Sequence, residues 1–142
     1  MEPLDPRTFA ASCLCLAVRR AARVVGRRYD EAFRDLGINN GQFTILMVVS
    51  ADRSITMGRI AEELAMDRTT LTAALKPLER DGLVRTTTDP ADRRARLISI
   101  TAEGRALLEQ AVPRWQEAQA ELLATADLSD VDQFHAALRS MA

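Results

Sequence analysis

Apolar residues recur along this chain mostly at helical spacing. Asp5-Pro6 opens a first helix, with Asp as the capping residue and Pro at the first helical position. Leu14, Val18, Ala21, Val25, Tyr29, Ala32 and Leu36 follow at steps of three or four, while Arg19, Arg20, Arg23, Arg27 and Arg34 mostly fill the other faces. Gly37 is a natural stop. The pattern therefore predicts one helix of roughly thirty residues, ~45 Å long at about 1.5 Å per residue. A monomer of this size cannot cover so long an apolar stripe, and a second copy of the chain is the simplest remedy. Gln42 to Ser50 is a dense apolar run that reads as a buried helix, although its length and β-branching leave a strand open.

The middle of the chain changes rhythm. Thr56 caps a short helix, Met57 to Leu64; Ala65-Met66 makes a tight turn; Asp67 caps the next helix, Arg68 to about Arg80, which ends at Asp81-Gly82. Ala61 and Leu64 then face Leu71, Leu75 and Leu78, the pattern of a helix-turn-helix. Pro77 lies inside the second helix, where it removes the backbone bond to Ala73. Two β-prone runs follow, Leu83–Thr88 and Arg96–Ile100, joined by the polar segment 89–95, which makes a two-stranded hairpin. After Thr101 a second long helix runs to about Ala124, with Pro113 inside it. Ser129 with Asp132 resembles a capping box for a last helix that holds Val131, Phe134, Leu138 and Met141.

Charge and composition narrow the function. The 142 residues suit one domain with a helical extension. No stretch of 18 apolar residues is present, so no spanning helix is expected, and the acidic opening, with Glu2 and Asp5, argues against a leader peptide. Two cysteines two residues apart make no extracellular disulfide framework, which points to a reducing cytoplasm. A single His, with no phosphate-cradling glycine loop and no Ser/His/Asp set, leaves an enzyme without parts, and no metal or cofactor is expected. The net charge of −1 speaks against nucleic acid, but its distribution does not. Residues 53–96 carry 9 basic against 7 acidic side chains, and residues 101–142 carry 3 against 7. The middle is mildly basic and the C-terminal part acidic.

Three segments together resemble the MarR family of bacterial winged-helix regulators: TMGRIAEELAMDRTTLT from Thr56, LERDGLVR from Leu78, and DPADRRARLISITAEG from Asp89. The likeness covers essentially the whole chain. It implies a mainly α protein, a winged helix-turn-helix with a two-stranded wing and a helical dimerisation domain. Residues 1–40 and 101–142 would supply the intertwined dimerisation helices and residues 41–100 the DNA-binding region. It further implies a homodimer on a pseudo-palindromic operator in double-stranded DNA, usually a repressor relieved by a small ligand or by oxidation. The helix from Arg68 would then enter the major groove, with Arg68, Thr69, Thr72 and Ala73 at base edges and Lys76 on phosphate. Carried over from matching wings, Arg94 enters the minor groove and Asp92 holds its guanidinium, with Arg93 and Arg96 on phosphates. The competing class is a winged helix used for protein contact alone.

The signal is less determined. On one continuous helix Cys15 shares a face with Val18, Ala22, Val25 and Tyr29, whereas Cys13 shares more with Arg20 and Arg27, so the two thiols would not meet unless that turn unwound. The spacing of Cys15 to Tyr29 is similar to that of the one-cysteine organic hydroperoxide regulators of the same family. In those, the Tyr donates to the thiolate from the other subunit. Asn40 and Arg19 stand here where that subgroup carries aromatic residues. The pair reads otherwise as small buried packing residues or as soft-metal ligands; a site of Cys13 or Cys15 with His135 is the weaker metal reading, and His135 reads more simply as a satisfied or solvent-facing residue. Trp115, Phe9, Phe43 and Tyr29 are candidates to line a pocket for a small aromatic effector.

Overall fold

A computed structural model describes residues 5–142. Residues 1–4, with Glu2 of the acidic opening, lie outside the described residues.

The first helix is not continuous. Helix α1 spans Pro6–Ser12 and helix α2 Leu14–Ala32, followed by a 3-10 turn at Arg34–Leu36 that Gly37 closes with φ 71°. The break falls at Cys13, whose backbone is extended at φ −73°, ψ 106°. Two local bonds flank it. Ser12 Oγ donates to the Thr8 carbonyl at 2.7 Å, a back-bond that bends helices. Cys13 Sγ accepts from the Leu16 amide at 3.5 Å, so a thiol stands as the cap of α2. The second ending, at Ala32, also shifts the apolar stripe. Phe33, which the expected series passed over, is fully buried and stacks on Phe43 at 4.6 Å between ring centroids.

Helix α3, Asn40–Ser50, resolves the helix-or-strand ambiguity through a reciprocal cap. The Asn39 side chain accepts from the Gln42 amide and the Gln42 side chain from the Asn39 amide, both at 2.9 Å. Strand β1 (Ile55–Thr56) leads into helix α4 (Met57–Glu63), capped by Thr56, and helix α5 (Arg68–Arg80), capped by Asp67, follows. Ala65 makes the turn between them with φ 49°. Helix α5 runs on through Pro77.

Strands β2 (Val84–Thr88) and β3 (Arg96–Ile100) form the hairpin, pairing antiparallel from Val84 with Ile100 to Thr88 with Arg96. The expected two-stranded wing is present, and a third strand extends its sheet. Strand β1 pairs with β3 through Ile55–Ile98 and Thr56–Leu97, giving the order β1-β3-β2. Two residues are too few to display a period of two, so the sequence pattern concealed them.

Helix α6 spans Ala102–Thr125 and contains Pro113. Helix α7, Val131–Arg139, begins one residue later than the expected box implied: Asp130, not Ser129, is the cap, and its side chain accepts from the Gln133 amide at 2.9 Å.

Helix α3 sits in the middle of the core, packed against α2, α4, α5, α6 and β3. Ile45, Leu46, Val49, Ile60, Leu71, Leu78 and Ile98 are essentially inaccessible there. The start of α6 is locked to the base of the hairpin. Thr101 Oγ1 donates to the Gly82 carbonyl at 2.6 Å and the Thr101 amide to the Leu83 carbonyl at 3.1 Å. Gly104 follows in so close a fit that a Cβ there would lie 2.2 Å from the Leu83 oxygen. The two ends of the chain contrast with this. Neither α1 nor α7 has a buried residue, and Phe9, Leu14, Val18, Phe134 and Met141 are exposed.

Candidate nucleic-acid interface

Helix α5 divides cleanly into two faces. Leu71, Leu75 and Leu78 point into the core, at 0%, 3% and 0% exposure. Arg68, Thr69, Thr72, Ala73 and Lys76 are all exposed. Their steps of one and four residues put them on one side of the helix. The core therefore fixes which face is offered, and all five expected contact residues lie on it. Asp67 anchors the start of that face. Its carboxylate accepts from the Thr70 amide at 2.8 Å and the Thr70 hydroxyl at 2.7 Å, which together hold its pKa below the ordinary 3.8. Arg68 extends over the start of α4, where a Cβ on Gly58 would lie 3.3 Å from its Nη2. Among the described residues its guanidinium enters no ion pair, in contrast with Arg59, which bonds Glu63 at 3.0 Å.

The hairpin tip is built by two aspartates. Asp89 Oδ1 accepts from the Ala91 amide at 2.9 Å, and Asp92 Oδ1 from the Arg94 amide at 3.0 Å. Asp92 thus braces Arg94 through its backbone here, whereas the family likeness suggests the guanidinium. Arg93, Arg94 and Arg96 are exposed, and no described carboxylate pairs with them. Unpaired arginines on this hydrogen-bonded turn are free to neutralise phosphate or enter a narrow groove.

The cysteine region differs from its expected form. Cys13 and Cys15 are both free, Cys13 half-buried and Cys15 exposed. They do not lie on one continuous helix, because Cys13 is the break itself. Tyr29 is buried and donates its hydroxyl to Gln119 Oε1 of α6, and burial raises its pKa. His135 is exposed on α7, and among the described residues no group of three or more His, Cys, Asp or Glu is arranged to hold a metal. No described helix is long and apolar enough to cross a membrane.

The four aromatics named as pocket candidates have different surroundings in the single chain. Phe43 stacks within the core, Tyr29 is buried beside α6, Trp115 is half-buried and Phe9 is exposed on α1. Two clefts flank helix α6. One of about 500 Å³ lies between α2 and α6, lined by charged side chains such as Arg28, Arg114 and Glu117. Another of about 480 Å³ lies between α3 and α6 and includes Met47, Leu108 and Val112.

A helix-turn-helix packed on a small antiparallel sheet, with an exposed helix face and an arginine-tipped hairpin, defines a winged-helix protein. Residues 36–95 match the family model described as MarR family. The organic hydroperoxide resistance transcriptional regulator of Bacillus subtilis is 31% identical over 99 residues, 70% of this chain and 67% of that protein. The chain belongs to the MarR family. Among solved structures, the Mycobacterium tuberculosis transcriptional regulator MosR in complex with DNA is 40% identical. That match covers 92% of this chain and 93% of that one, with a TM-score of 0.84. A mutant MarR from Escherichia coli complexed with operator DNA, 24% identical with a TM-score of 0.85 over 97% of this chain and 99% of that one, shares the fold.

Proposed function

We propose that this protein is a homodimeric, sequence-specific DNA-binding transcriptional repressor acting on a pseudo-palindromic operator. The observation that carries the reading is the pairing of two unneutralised surfaces on one rigid unit. These are the exposed face of α5, held outward by Leu71, Leu75 and Leu78, and the arginine tip of the wing. Helix α5 would read base edges in the major groove through Arg68, Thr69, Thr72 and Ala73, with Lys76 on phosphate. Arg94 would enter the minor groove, with Arg93 and Arg96 on flanking phosphates. MosR, 40% identical and crystallised with DNA, supports the DNA-binding reading. Residues 1–40 and 101–142 form the dimerisation region, which accounts for the exposed apolar residues of α1 and α7.

Of the two release signals, thiol oxidation has the better structural support. The break at Cys13 removes the helical geometry that would keep two thiols two residues apart from meeting. The chemistry is a disulfide between Cys13 and Cys15. Two thiols lose two electrons and two protons, and an organic hydroperoxide is reduced to its alcohol and water. Because Cys13 Sγ caps α2, the new bond would also alter that cap.

Operator selected from random DNA by the pure protein tests both parts. Affinity should fall steeply with salt, and Arg94→Ala should weaken binding and flatten that slope with the dimer intact. A module that contacts only proteins would show no such salt dependence. Stoichiometric cumene hydroperoxide should release the operator from the parent protein, while Cys13→Ser and Cys15→Ser should each stay bound. Release from both single variants rules the disulfide out.

A further inference from the structure

The exposed threonines of α5 differ in what their hydroxyls have left to offer. Thr70 Oγ1 donates to Asp67 Oδ2 at 2.7 Å and belongs to the helix cap. Thr72 Oγ1 donates to the Arg68 carbonyl at 2.7 Å, one turn back along the helix. A hydroxyl has one proton, so Thr72 has none free for a base. What it carries outward is its γ-methyl group and the lone pairs of Oγ1. The next residue, Ala73, has only a methyl, and it too is exposed. Thr69 Oγ1, by contrast, donates no hydrogen bond among the described residues. The middle of the offered face is therefore a small methyl surface, with Arg68 one turn before it and Lys76 one turn after.

We propose that Thr72, flanked by Ala73, reads the 5-methyl group of a thymine in each operator half-site, and so specifies that base by apolar contact rather than by donating a hydrogen bond. In the major groove thymine alone presents a methyl, so such a contact carries sequence information. The intrahelical bond of Thr72 fixes the rotamer in advance, and little side-chain freedom is lost on binding. The inference rests on the DNA-binding reading above and deepens it by naming one base and one atom.

The test uses the selected operator, with each thymine of a half-site replaced singly by deoxyuridine, which removes the methyl group and nothing else. One position should weaken the parent protein about fourfold, the size expected for burial of a single methyl group. Thr72→Val, which keeps the methyl and discards the hydroxyl, should retain the penalty at that position. Thr72→Ser, which keeps the hydroxyl and discards the methyl, should lose most of the penalty. If no thymine is sensitive, or if Thr72→Val binds more weakly than Thr72→Ser, the methyl contact is wrong while DNA binding stands. If no operator can be selected at all, both readings fall.

Discussion

At position 104 there is room for a hydrogen and nothing larger. An added methyl would sit 2.2 Å from the Leu83 carbonyl oxygen and 2.7 Å from Ile100 Cγ1, and the first of these is backbone that cannot step aside. Gly104→Ala should therefore lower stability by about 3 kcal/mol, the upper range for overpacking, with a fall in Tm of roughly 10 °C for a domain of this length. A melting temperature within about two degrees of the parent would show that the joint is looser than it looks. Gly58 poses the opposite case, because its neighbour is the far end of the Arg68 side chain at 3.3 Å. Alanine is the better residue inside a helix by about 0.5–1 kcal/mol, yet its methyl displaces the guanidinium. Gly58→Ala should thus raise the denaturation midpoint while weakening operator binding several-fold. Stability and affinity moving in the same direction would contradict the placement of Arg68.

At the scale of elements, caps decide where helices begin, and the recognition helix depends on an ionised one. Two hydrogen bonds from Thr70 hold the Asp67 carboxyl below its ordinary 3.8. A depressed folded pKa means that this stabilisation is complete above 3.8 and is lost as pH falls through the lower, folded value. Urea midpoints measured at pH 7 and near pH 3 should differ less for Asp67→Asn than for the parent, since the amide accepts a hydrogen bond at either pH. An unchanged difference would mean that Asp67 does not contribute to acid sensitivity.

The same scale shows what was legible in the sequence. The Thr56 and Asp67 caps, α4, α5 and strand β3 lie where side-chain preference and period place them, because local bonds and core packing agree there. The break at Cys13 was hidden because no Gly or Pro marks it; the serine back-bond and thiol cap that flank it look like ordinary helical positions in a sequence. Gly104 gave no local signal either, since its neighbour Leu83 is distant in the chain. The exposed face of α5 was readable from its leucines alone. The backbone role of Asp92 and the committed proton of Thr72 are matters of hydrogen-bond geometry that no spacing encodes.

For the whole molecule, the imbalance lies at the ends. Phe9, Leu14, Phe134 and Met141 are 43–60% exposed, while the winged-helix region between them packs a dense core. Apolar side chains grouped on terminal helices need a second surface. Phe134→Asp should convert the proposed dimer into monomers by sedimentation or light scattering, with the melting of the winged-helix core largely preserved. A dimer that survives the charge would place the interface elsewhere. Half-site spacing on DNA is set by that interface, so the monomer should also lose operator affinity far more than any single base contact accounts for.

The tight seat of Gly104 against Leu83 has one further consequence. With Thr101 bonded to both Gly82 and Leu83, the first turn of α6 and the root of the wing move as a single solid piece. Helix α6 has 24 residues, which makes a lever about 36 Å long at about 1.5 Å per residue. A tilt of roughly 10° about its far end carries the wing root about 6 Å, more than the rise of one helical turn. Spin labels on the two wing tips of a dimer would therefore report, magnified, the angle at which the two subunits cross.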